Sequence, residues 1–117
     1  MLVTGTAVRD SRAGRSSRRR VATVVINMKI TWHEVKRQSN LTKHGLDFAQ
    51  AHKVFSGATF TFEDDRFDYG EQRFVTVGLL DDVVVIVHTE TAEEIRIISM
   101  RRANKHEQGL YFKNLYG

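Results

Sequence analysis

Five consecutive apolar residues, Val83-Val84-Val85-Ile86-Val87, include no polar side chain. Built as a strand, such a run has no face that can meet water, because successive side chains point to opposite sides of a sheet. It must lie centrally in a sheet that is covered on both faces. The flanking sequence supplies the sheet. From Thr59 onward the apolar period is two. Residues 59–63 read as a strand, 64–70 as an acidic loop, 71–79 as a second strand and Asp81-Asp82 as a tight turn. Residues 83–88 and 94–100 complete the set. Short turns between successive strands predict an antiparallel meander.

Two covers are available. After a short strand at 29–32, residues 33–44 read as a helix closed by Gly45. Lys43 and His44 in its last turn suit the helix dipole. Asp47 and Gln50 resemble a capping box, and Phe48, Ala51, Val54 and Phe55 then share one helical face before Gly57. The second cover is a helix over 104–115, which Asn104 and Glu107 can cap. Its apolar stripe of Leu110, Tyr111 and Leu115 is thin, and Gly109 weakens it by about 1 kcal/mol relative to alanine. The predicted fold is α+β: a small antiparallel meander of about four strands, two N-terminal helices and a C-terminal helix.

The 117 residues suffice for one domain with a modest core. With no cysteine there is neither disulfide nor thiolate site, which permits a reducing cytoplasm. No apolar run reaches the length of a membrane span. The net charge of +4 is unevenly held: residues 1–27 contain six arginines and one acid, which leaves residues 28–117 at −1. The first twenty residues, rich in Arg, Ser, Gly and Thr, read as an extension without regular structure. They admit three readings: a nucleic-acid arm, a targeting segment, or an artefact of start-codon choice. Met28, immediately before the first structured segment, favours the last and bounds a single domain at 28–117. Residues 21–26 have strand propensity of their own.

Few catalytic patterns survive inspection. The five histidines are scattered, without a metal-binding spacing. The acidic residues Asp64, Asp65, Asp68 and Glu71 lack the ligand alternation of a calcium loop. No glycine-rich phosphate loop or nucleophile elbow is present. What remains is cationic. The strand from Glu94 carries Arg96 within it and Arg101 and Arg102 where it should end, bringing three guanidinium groups into one neighbourhood. Such groups grip phosphate or carboxylate through a planar fork. Arg73 lies on a neighbouring strand, with Glu71 two residues away on the same predicted face. One carboxylate among cations suits metal-free RNA cleavage, in which a base assists 2′-hydroxyl attack and guanidinium groups hold the developing charge. Charge pattern alone favours the plainer reading, in which Glu71 and Arg73 simply pair across the sheet surface.

At these residues the chain resembles the BrnT family, the toxin half of a bacterial toxin–antitoxin pair. The resemblance runs from Met28 to about Tyr111. It rests on Ile30-Thr31-Trp32, on Asn40-Leu41-Thr42-Lys43-His44-Gly45 with Phe48, Ala51, Val54 and Phe55, and on Asp68-Tyr69-Gly70-Glu71-Gln72-Arg73 with Gly78. Arg96-Ile97-Ile98-Ser99-Met100-Arg101-Arg102-Ala103, Glu107 and Tyr111 complete it. Met100 stands where alanine is usual, and His33 where aspartate often follows the tryptophan. The resemblance implies a RelE-like ribonuclease fold, RNA cleavage without a metal or other cofactor, and arrest of translation, with the substrate RNA free or ribosome-bound. It implies neutralisation by a BrnA-like antitoxin with a ribbon-helix-helix domain, through which alone operator DNA is bound. Carried over by position, Arg73 and Arg101 would contact phosphate and the transition state, with Arg96 beside them. Glu71 would act as base or orienter and Lys43 would orient the backbone. Trp32 would stack on a base, with Arg102 as a further RNA contact. His44 reads as a structural cap and Tyr111 as core. A non-catalytic module whose basic face docks an acidic partner is the competing reading, because residues 28–117 are net negative. No helix presents a basic recognition face for direct DNA binding.

Overall fold

The computed structural model describes residues 2–11, 18–65 and 70–116, with side chains at 5–9, 28–65 and 70–116. Asp68 and Tyr69, part of the motif above, lie outside the described residues. The strands are β1 (Leu2–Ser11), β2 (Arg18–Asn27), β3 (Lys29–Trp32), β4 (Thr59–Asp64), β5 (Arg73–Leu80), β6 (Asp82–Glu90) and β7 (Glu94–Arg102). The helices are α1 (Glu34–His44), α2 (Ala51–Phe55) and α3 (Lys105–Tyr116), and a 3₁₀ turn, Phe48–Gln50, leads into α2.

The seven strands of the described residues form one mixed sheet in the order β2-β1-β4-β5-β6-β7-β3. The antiparallel meander β4-β5-β6-β7 is its centre. The sheet is nevertheless larger than the four strands expected. β3 adds in parallel to β7, with Trp32 opposite Ile97. At the other side β1 adds in parallel to β4 and pairs antiparallel with β2. The first twenty residues, expected to lack regular structure, thus contribute β1 and the start of β2, and the strand propensity of residues 21–26 is realised within β2. The two N-terminal helices are also corrected: α1 follows three strands, and the second helix is a 3₁₀ turn with a short α2.

β6 is covered on both faces, as its apolar run requires. Val84 and Ile86 face Leu46, Phe48, Ala51, Val54 and Phe55 from the helical side, together with Ile95, Ile97 and Met100. Val83 and Val85 face the opposite way, with Val75, Val77, Ala103 and Tyr111. The terminal signals operate locally. Gly45 takes φ 70° and donates its N–H to the Leu41 carbonyl at 2.8 Å, closing α1. Asp47 accepts the Ala49 N–H at 2.9 Å and holds the Arg37 fork at 2.9 and 3.1 Å. Asn104 and Glu107 exchange backbone-to-side-chain bonds of 2.9 and 2.8 Å, a reciprocal box at the start of α3.

Beyond β3, a side chain from α1 takes the place of a strand at Met100 on the edge of β7. The Asn40 amide on α1 donates to the Met100 carbonyl at 2.9 Å and accepts the Met100 N–H at 3.1 Å, as a neighbouring strand would. It also donates to the Leu46 carbonyl at 3.2 Å. Asn40→Leu removes all three bonds and leaves backbone groups unpaired, each costing about 1–3 kcal/mol. We expect a loss of about 3 kcal/mol, read as a lower denaturant midpoint at unchanged m-value. An unchanged midpoint would show that Asn40 is not what anchors this edge.

Candidate active site

β7 runs on to Arg102 instead of ending at Met100. Neighbouring strand residues point to opposite faces, so Arg101 and Arg102 are divided. Arg102 lies opposite Val84, on the helical face, and donates to the His44 carbonyl at the end of α1 at 3.2 Å. Arg101 lies opposite Val85, on the α3 face, and makes two 2.7 Å bonds with the Glu107 carboxylate. Those two hydrogen bonds outweigh the opposing effect of burial and, with the backbone N–H of Asn104 adding to them, hold the Glu107 carboxyl below the usual carboxylate range.

A second cationic group lies further along the α3 face. β5 begins at Arg73, so Glu71 precedes the strand instead of lying within it as expected. It follows Gly70, whose φ of 71° is in the left-handed region. From there Glu71 accepts from Arg96 at 3.0 Å with both oxygens and stands 3.6 Å from Arg73 Nε. Arg96 is opposite Thr89 on β6, and Arg73 is opposite Asp64 on β4. Glu71 therefore bridges β5 and β7 over the intervening strand.

Val77, which pairs with Val85 and through it lies in line with Arg101, is four residues along β5 from Arg73. At about 3.3 Å per residue the two rows are roughly 13 Å apart, within combined reach of two arginine side chains. A cleft of about 280 Å³ opens on this face. Val75, Val85 and Val87 line it, with Arg101 and Glu107 and with Asp64 and Asp65.

The other sequence candidates are elsewhere. Trp32 packs against the helical-face core and lines a hollow with Ile30 and His52, and its Nε1 donates to Glu34 at 3.3 Å. Lys43 lines a groove between α1 and β7 with His44, Ile98 and Ser99. Glu71, Arg73, Arg96 and Arg101 thus share one face, while Lys43, Trp32 and Arg102 do not belong to it. Tyr111 is wholly buried and donates to the Ala58 carbonyl at 3.0 Å. Burial pushes its pKa up to about 12, so it is a core donor. Among the described residues, no group of three or more His, Cys, Asp or Glu is placed to hold a metal ion.

Sequence reasoning missed the second task of Glu107. Its capping role was legible, but its hold on Arg101 follows only from the register of β7 against α3. It also missed His88, buried at the end of the apolar run, whose Nε2 lies 2.7 Å from Thr76 Oγ1.

The family model described as the ribonuclease toxin BrnT of type II toxin–antitoxin systems matches residues 32–107. The chain belongs to the BrnT family. Among solved structures it is similar to the Brucella abortus ribonuclease toxin BrnT, known at 1.1 Å resolution. That protein is 30% identical and matches with a TM-score of 0.51, over 67% of this chain and 99% of its own. No curated protein matches by sequence. As a BrnT toxin, the chain is the ribonuclease member of a type II pair, and an antitoxin is its partner. The BrnT match begins at Trp32, after β1 and β2, and ends within α3. Among the described residues, no helix is long and apolar enough to cross a membrane.

Proposed function

We propose that this BrnT toxin is a RelE-like, metal-independent endoribonuclease that acts in the cytoplasm and arrests translation. The observation that carries the proposal is Glu71 held between Arg73 and Arg96, on the face that also presents Arg101 beside a cleft. The 2′-hydroxyl of RNA attacks the adjacent phosphorus, Glu71 takes its proton, and the 5′-oxygen departs, protonated by solvent. The products are a 2′,3′-cyclic phosphate and a 5′-hydroxyl. Arg73 and Arg101 hold the charge that develops on the phosphoryl oxygens, and Arg96 orients Glu71. Lys43, Trp32 and Arg102 stand off this face, and we assign them to flanking RNA contacts, with Trp32 stacking on a base. We further propose that residues 28–117 carry this activity. The antitoxin would be BrnA-like, with a ribbon-helix-helix domain that brings the hetero-oligomer to operator DNA.

A second reading, a docking module for an acidic partner segment, draws support from the net charge of −1 over residues 28–117. The deciding experiment incubates the full chain with RNA in EDTA, with and without translating ribosomes, and repeats it with Arg101→Ala. Cleavage by the wild type, lost in the variant while antitoxin binding persists, is the expected result. Absence of cleavage in both settings, with antitoxin binding lost in Arg101→Ala, would establish the docking module instead.

A further inference from the structure

β1 lies outside the family match, yet three of its residues are fitted to three different parts of the toxin. Gly5 runs against the carbonyl end of α2. A Cβ at that position would stand 2.6 Å from the Gly57 oxygen and 2.7 Å from the Phe55 oxygen, a spacing only glycine accepts. Val8 lies opposite Phe60 and is 1% exposed. Arg9 passes over Phe74, its guanidinium 5.8 Å from the ring centroid, and reaches Glu90 on β6 with a 3.2 Å bond from one nitrogen and a shorter one from the other.

The far end of that reach is a buried polar chain. The Glu90 carboxylate stands 3.7 Å from His88 Nδ1, a nitrogen buried without a hydrogen bond. His88 Nε2 meets Thr76, whose hydroxyl is 2.7 Å from that of Thr61. Phe55 and Phe74 close over the imidazole. Without β1, Glu90 would lose its cation, and β4 would present a row of open backbone groups at the sheet edge.

We infer that the outer edge of β4, together with Glu90, is a strand-docking site whose occupant is this chain's own segment Leu2–Ser11. That segment docks in parallel, Ala7 to Asp10 against Thr59 to Phe62. Its recognition elements are a glycine at the α2 end, a buried valine and an arginine that neutralises Glu90. The arginine-rich N-terminus is in this respect an internal clamp, with Arg9 committed to the toxin's own carboxylate. The inference rests on the packing of Gly5 and Val8 and on the Arg9–Glu90 pair, and stands independently of the ribonuclease reading.

The test uses the full chain. Native-state hydrogen exchange should show amides at residues 7–10 protected together with 59–62, and both sets should lose at least tenfold protection in Gly5→Val, while 74–87 keep theirs. Arg9→Ala leaves the backbone untouched and provides the second readout, NMR titration of the His88 ring. Burial first, with Arg9 opposing Glu90, holds that ring at about 4. Loss of Arg9 should move it upward, and Glu90→Gln should move it downward. Unprotected amides at 7–10 in the wild type, or a His88 titration indifferent to Arg9→Ala, would overturn the inference.

Discussion

Arg73→Ala is expected to lower RNA cleavage by two to three orders of magnitude. A preorganised donor aimed at the charge of the transition state is typically worth about 10²–10³ in rate. Arg73 is so aimed in the proposed site, because Glu71, the proposed base, lies 3.6 Å from its Nε. The loss should fall mainly on kcat, since the guanidinium meets most of its charge only as the phosphorane forms. Arg73→Lys separates charge from shape. It retains a cation opposite Asp64 but not the planar fork, so an intermediate rate is expected. Equal rates in wild type, Arg73→Lys and Arg73→Ala, with all three folded, would remove Arg73 from the active site.

The second large effect concerns acid. His88 is 0% exposed, and its pKa is lowered from 6.5 to about 4, chiefly by burial. In the unfolded chain the imidazole titrates near its ordinary value. Between pH 6.5 and 4, therefore, the unfolded state binds a proton that the folded state refuses. Stability should be full above pH 6.5 and fall by up to about 1.4 kcal/mol per pH unit below it, a total of about 3 kcal/mol by pH 4. Carboxylates such as Glu107 and Asp47, held low by hydrogen bonds, lose their contribution further into acid and leave the window from 6.5 to 5 to the imidazole. His88→Gln removes the titrating group and keeps a donor for Thr76. Urea midpoints across that window should slope for the wild type and stay flat for the variant. Parallel slopes would refute the assignment to His88.

Features that depend on neighbours in sequence were legible. The apolar run at 83–87 demanded two covers and has two. Gly45, the Asn104–Glu107 box and the stripe from Phe48 to Phe55 each signal through spacing of a few residues, and each is seen. Pairing between distant segments leaves no such local period. Nothing near Lys29 announces that β3 joins β7 in parallel across more than sixty residues. At the N-terminus, composition argued against structure, and what orders Val8 and Arg9 are Phe60, Phe74 and Glu90, far along the chain. The single neighbourhood expected for Arg96, Arg101 and Arg102 fails for a related reason. Extending β7 by two residues turns Arg101 and Arg102 apart, and the irregularity opposite Val87 and His88 decides which face Arg96 takes. Strand ends and bulges are set by the partner strand, so a single run of residues does not encode them.

Glu107 holds two structures at once, the first turn of α3 and the fork of Arg101. One carboxylate with two calls on it creates a thermodynamic link between them. An anion that draws Arg101 away changes the bonding of the helix start, and a contact that firms the helix start changes how readily Arg101 is released; by reciprocity the two free energies are equal. Grip applied to α3, at a distance from any phosphate, is thereby felt at the arginine.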